Sequence, residues 1–140
     1  MTVCIDTNVL VQARSASSPF HCILAACAAG RFSWAVSSRI YLEYREVITD
    51  LSGTDAWNRV VSLLELMDLS GDLLRVSPAY QFRIIGDDPD DNAFTDCAIT
   101  AHADYIITSD RHFAPLANAG YKPQPITPEE FIRRYRGVYV

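Results

Sequence analysis

The chain has 140 residues, 49% of them hydrophobic and 21% charged, a balance that suits one globular domain and excludes a disordered polymer. A net charge of −5 argues against a protein that wraps nucleic acid by bulk electrostatics. No apolar run is long enough to span a bilayer, and polar Asp6 and Asn8 interrupt the N-terminus where a secretory leader needs an apolar core, so a cytoplasmic protein without a membrane partner is the expectation.

The first stretch, Thr2-Val3-Cys4-Ile5-Asp6-Thr7-Asn8-Val9-Leu10, reads as a short buried strand that stops at an acid and then turns. A carboxylate there stands where open α/β sheets place their ligands, although a plain cap on the next helix is the competing reading of Asp6. Ser17-Ser18-Pro19 starts a helix that runs to about Ala29 and stops at Gly30. Phe32 to Val36 is the second strand, and Ser37-Ser38 caps a helix from about Ser38 to Leu51.

That helix carries Ile40, Tyr44, Val47, Ile48 and Leu51 as one apolar stripe, with Glu43 at its edge and Glu46 on the outer face. Glu43 is therefore expected half-buried. Another helix, from about Thr54 to Leu66, is followed by a strand at Leu73 to Val76. Ile84 to Asn92 is acidic, contains Gly and Pro, and is expected to be a loop. A helix from about Asp91 to Ala103 comes next, then a strand at Asp104 to Thr108 that ends before Ser109-Asp110. A short helical stretch to Ala119, a small strand at Gln124 to Ile126 and a helix from Thr127 complete the chain. In that last helix Thr127-Pro128-Glu129-Glu130 has the spacing of a capping box.

Strands and helices alternating in this way imply an α/β domain, a parallel sheet of about five strands with helices on both faces. The four cysteines, Cys4, Cys22, Cys27 and Cys97, sit among apolar neighbours without metal-ligand spacing, and read as reduced core residues. The three histidines, His21, His102 and His112, lack the spacing of a helical metal pair. Eleven of the twelve basic residues are arginines, and Arg133-Arg134-Tyr135-Arg136 is the one dense basic cluster. It reads equally well as a solvated helix end.

Asp6 and Asp110 share a pattern, each following a short apolar strand and preceding a helix. On neighbouring strands of a doubly wound sheet they would meet at the carboxyl edge. Asp91 and Glu43 open other helices, and each can face the same rim. Four carboxylates crowded there would repel one another unless a cation sat among them, and oxygen donors suit Mg²⁺ or Mn²⁺. Asp90 adjoins Asp91, and a one-residue slip would exchange their roles. Asp96 lies on the same helix and turns toward its polar side, which makes it a peripheral candidate ligand at most. The acids Asp87 and Asp88 read as loop residues.

The chain resembles the PIN-domain family in four pieces: Val3-Cys4-Ile5-Asp6-Thr7-Asn8-Val9-Leu10, Tyr41-Leu42-Glu43-Tyr44, Asp88-Pro89-Asp90-Asp91-Asn92 and Ala103-Asp104-Tyr105-Ile106-Ile107-Thr108-Ser109-Asp110. These are metal-dependent ribonucleases that include toxins of toxin–antitoxin modules. The resemblance implies that Asp6, Glu43, Asp91 and Asp110 hold the metal, that Thr108 and Asn8 support them by hydrogen bonds, and that water is activated against an RNA phosphodiester. It further implies an RNA substrate and a cognate antitoxin protein, and is compatible with a homodimer. Arg39, Arg45 and Arg111, near the expected rim, are candidates for the RNA backbone. A receiver-type phosphoacceptor domain needs an acidic pair after the first strand, and only Asp6 stands there. A haloacid-dehalogenase phosphatase wants a second Asp where Asn8 stands. A catalytically silent PIN-like binding module is the remaining alternative.

Overall fold

The structure is a computed structural model that describes residues 1–85, 89–117 and 119–140, with the side chains of Pro89 and Asp90 outside that description. Five strands form one parallel sheet: β1 (Thr2–Ile5), β2 (Ser33–Val36), β3 (Leu73–Arg75), β4 (Tyr105–Ile107) and β5 (Gln124–Ile126), in the spatial order β3–β2–β1–β4–β5. Helices α1 (Thr7–Ala13) and α2 (His21–Ala28) connect β1 to β2, while α3 (Ser38–Ser52) and α4 (Thr54–Ser70) connect β2 to β3. The chain then returns through α5 (Pro89–Thr100) to β4, passes a 3₁₀ turn (Arg111–Phe113) and α6 (Ala114–Ala117) to β5, and ends in α7 (Pro128–Tyr135).

This winding follows from composition. Val3, Cys4 and Ile5 are all fully buried, as are Ile106 and Ile107, so neighbouring side chains on opposite faces of the sheet are equally covered. Only helices on both faces achieve that. The sheet grows from β1 to β3 in one direction and then from β4 to β5 in the other. The point of reversal lies between β1 and β4, where sheets of this winding open a crevice at their carboxyl edge.

Two ties hold the helices to that edge. Tyr44, fully buried on α3, donates its hydroxyl to the carbonyl of Ile5, the last residue of β1. Burial pushes the Tyr44 hydroxyl up, so it stays a donor. Its ring packs between Trp34 and Phe94, with centroids 5.9 and 6.1 Å away. On α5, Cys97 meets Cys4 of β1 with 3.7 Å between the sulfurs. Hydrogen bonding to Cys97 and burial push the Cys4 thiol up, so it serves as packing rather than as a nucleophile.

Several boundaries differ from those read in the sequence. Leu51, expected on the buried stripe of α3, is 65% exposed: Ile40, Tyr44 and Ile48 are buried in the core, whereas Leu51 falls in the last turn of α3, next to the Gly53 junction with α4. Helix α4 continues past Leu66 to Ser70, where Gly71 closes it in the left-handed conformation at φ 82°. The expected loop ending at Asn92 is already helical from Pro89, since proline suits a first helical position and acids suit a first turn. The acidic pair Asp87-Asp88 lies outside the described residues. In α7 the Thr127 hydroxyl accepts the Glu130 amide at 3.2 Å, but the Glu130 carboxylate turns to Arg133 and Arg134 instead of closing the box.

Replacing Tyr44 by Phe removes the donor and leaves a buried strand carbonyl without it. We expect Tyr44→Phe to lower unfolding free energy by about 1–3 kcal/mol in urea titrations, with the far-ultraviolet spectrum unchanged.

Candidate metal centre

Backbone pairing sets the first acid. The Asp6 amide donates to the Ile107 carbonyl at 3.0 Å and the Thr108 amide donates to Ile126 at 2.9 Å, so the β5–β4–β1 ladder runs on to the rim. Asp6 occupies the N-cap position of α1 in an extended conformation, yet its side chain does not cap that helix. The Asp6 carboxylate, buried at 6% exposure, instead accepts the Thr108 hydroxyl at 2.7 Å. The same Thr108 oxygen accepts the Asp110 amide at 2.9 Å. One threonine thus bridges the strand-end acids of β1 and β4, which stand side by side at the switch point.

Glu43 reaches this rim from α3, half-buried as its place on the wheel requires, and accepts the hydroxyl of Thr7. Consecutive residues Glu43 and Tyr44 therefore grip the chain on either side of Asp6. Asn8 is exposed in the first turn of α1, and the hydroxyl that serves the rim from this turn belongs to Thr7.

Asp91 is 7% exposed on α5, and its Oδ2 lies 2.9 Å from Nδ1 of His112. The His112 ring nitrogen is also 3.5 Å from Oδ1 of Asp110, whose carboxylate accepts the His112 amide at 2.9 Å. Asp91, Asp110 and His112 can each offer one ligand atom within 4.8 Å of the others. Among the described residues this is the group that brings three metal-ligating side chains together; Asp6 is linked to it through Thr108, and Glu43 accepts from Thr7, the neighbour of Asp6.

His112 is the residue that sequence reading missed. It pairs with acids from two other places in the fold and not with a second histidine on one helix, so helical spacing could not reveal it. One signal was available: an Asp after a strand can accept the backbone amide two residues on in an Asx turn, which here brings residue 112 back beside Asp110.

Asp96 also departs from expectation. Its carboxylate is buried at 7% exposure and accepts the Phe82 amide at 2.9 Å, so it anchors the segment after β3 and is no solvated face. The wheel misplaced it because nearly every residue of α5 from Asp91 to Ala98 is covered, on its polar side by this segment. Asn92 makes a second such anchor, accepting the Ile85 amide at 2.9 Å. The Asp90 side chain lies outside the described residues.

Of the arginines, Arg39 is exposed one helical turn before Glu43 and lines a cleft of about 220 Å³ with Glu43, Glu46 and Phe94. Arg111 is exposed beside Asp110. Arg45 is exposed two residues past Glu43, about 200° round the helix and so on its far side. The Arg133-Arg134 pair is engaged by Glu130, and Arg134 also reaches the Tyr105 hydroxyl at 3.2 Å. Tyr105 begins β4, so this cluster belongs to the amino edge of the sheet, opposite the acids.

The donor set of carboxylates plus one imidazole could hold a divalent cation, and it lies at the switch point of a parallel sheet, where α/β folds place their ligands. The family model described as "PIN domain" matches residues 2–112, and the chain belongs to that family, whose members are in general nucleases that use a divalent metal. No curated protein and no solved structure matches the chain. No described helix is long and apolar enough to cross a membrane.

The two acids of α5 separate cleanly in a metal titration. Asp91→Ala should weaken Mn²⁺ affinity by ~10–100-fold, whereas Asp96→Ala should leave it unchanged and cost about 1–2 kcal/mol of stability by orphaning the Phe82 amide. Calorimetry and urea unfolding on both variants measure the two effects.

Proposed function

We propose that the protein is an Mg²⁺- or Mn²⁺-dependent ribonuclease, acting as the toxin half of a toxin–antitoxin pair. The observation that carries the nuclease reading is the meeting of Asp91, Asp110 and His112 beside Asp6 at the switch point of a PIN-domain sheet. RNA as substrate and the toxin role are supported by the motifs shared with that family. Exposed Leu42, Leu51, Leu66 and Leu69 on α3 and α4 add apolar surface of the kind that a protein partner such as an antitoxin covers.

Asp91, Asp110 and His112 would hold the cation, with Asp6 and Glu43 completing its surroundings directly or through water. When bound, the cation supplies a lowered pKa for water and neutralises charge that builds on a scissile phosphate. The chain's own part is preorganisation. Thr108 holds the Asp6 carboxylate toward Asp110, and Thr7 holds Glu43 toward Asp6, so the rim is shaped before substrate arrives. Arg39, which lines the cleft with Glu43, and Arg111, next to Asp110, would pair with backbone phosphates in this reading. Arg45, on the far side of α3, has no part in this reading.

Asp6→Asn should abolish cleavage of single-stranded RNA while leaving the thermal midpoint unchanged or raised, since it removes one of several clustered charges. Cleavage by the unaltered protein should require added Mg²⁺ or Mn²⁺ and stop with chelator. Undiminished cleavage by the Asp6→Asn protein would assign the activity elsewhere. RNA left intact by the metal-loaded protein would favour a silent binding module.

A further inference from the structure

We infer that His112 is a nitrogen ligand of the bound cation and that it tilts the site toward Mn²⁺ over Mg²⁺, an inference that rests on the metal-dependent reading above. The geometry carries it. Ligand atoms on adjacent corners of an octahedron with bonds near 2.1 Å lie ~3.0 Å apart. Nδ1 of His112 lies 2.9 Å from Oδ2 of Asp91 and 3.5 Å from Oδ1 of Asp110, close to two such edges. A cation can therefore take the place of the hydrogen bond between imidazole and carboxylate without the backbone moving.

The backbone is also set for it. The His112 amide bonds to the Asp110 carboxylate at 2.9 Å, which fixes the backbone of residue 112 beside the rim through a turn of only three residues. The His112 side chain is 56% exposed, so the ring can adjust by a rotation about its own bonds with little packing to disturb. The Asp91 side chain, at 10%, is held in place by the body of α5 and cannot adjust as freely. The imidazole is thus the mobile member of the group and the carboxylate its fixed reference.

The consequence for the metal is chemical. Carboxylates alone suit Mg²⁺, which dehydrates reluctantly and favours oxygen. An imidazole nitrogen is a softer donor than a carboxylate oxygen, and of these two ions Mn²⁺, as a first-row transition ion, takes it more readily than Mg²⁺. A histidine that merely neutralised the acids would act the other way, since it would compete with any cation and its loss would tighten Mg²⁺ and Mn²⁺ alike.

The test uses the full-length protein with Mn²⁺ and Mg²⁺ as probes. Electron spin echo spectra of the Mn²⁺-loaded protein should show modulation from a coordinated nitrogen, and His112→Asp should abolish it. Calorimetric affinities should show the preference for Mn²⁺ over Mg²⁺ falling by ~10-fold in His112→Asp, which keeps a ligand but makes the set all oxygen. His112→Ala, with thermal unfolding as a control for folding, should lose the same nitrogen signal and weaken Mn²⁺ more than Mg²⁺. Bound Mn²⁺ without nitrogen modulation, or tighter binding of both ions in His112→Ala, would overturn the ligand role and leave the nuclease reading standing. Failure of the unaltered protein to bind either ion would overturn both.

Discussion

Gathering carboxylates at one sheet edge is the constraint around which this molecule is arranged. Two unit charges 4 Å apart repel by about 4 kcal/mol at the effective dielectric of a protein surface, so the acids must be met by donors or by a cation. The donors come from the acids' own neighbours in sequence. Thr7, next to Asp6, serves Glu43, and Thr108, two residues before Asp110, serves Asp6. His112, two residues after Asp110, serves Asp91. Glu43, Asp6 and Asp91 are thus each held by a residue placed by another acid's strand or turn, while Asp110 is held within its own turn by the His112 amide.

This interlocking explains why so much buried structure leads to the rim. The β1–β4 pairing extends one residue past each strand to place Asp6 against Ile107 and Thr108. Tyr44 spends a buried hydrogen bond on the carbonyl just before Asp6, which sets the height of Glu43 beside it. Cys97 packs α5 on β1, and Asp91 is carried at the other end of that helix. Asp96 and Asn92 pin the segment leading into α5, within about one and a half turns of Asp91. These contacts supply precision where a misplacement of a single ångström would spoil a metal site.

The two edges of the sheet divide the charge. Acids collect at the carboxyl edge, while at the amino edge Asp104 is held below its usual range by Lys122, which outweighs the cost of partial burial. There Arg133 and Arg134 lean on Glu130, whose carboxyl they lower to about 2. Arg133 and Arg134 are therefore engaged within the protein. In the proposed function, attraction for a phosphate backbone would come from Arg39 and Arg111 at the rim and from the cation, in keeping with a net charge of −5.

Strand-then-acid patterns around Asp6 and Asp110, helical periodicity around Glu43 and alternating elements all depend on local order, and the sequence alone determined them. Parallel strands buried on both faces announce themselves as short apolar runs, and the capping serines and glycines mark where helices begin and end. The tertiary structure decided what depends on residues far apart in the chain. Asp96 looked solvated because a wheel knows nothing of a segment fourteen residues earlier folding over it. Leu51 looked buried because the stripe continues into the last turn of α3, where the core no longer covers it. His112 looked idle because its partner Asp91 lies twenty-one residues away on another element. Periodicity reports the face a residue occupies, but only packing determines what covers that face, and the chemistry of this rim lies in the cover.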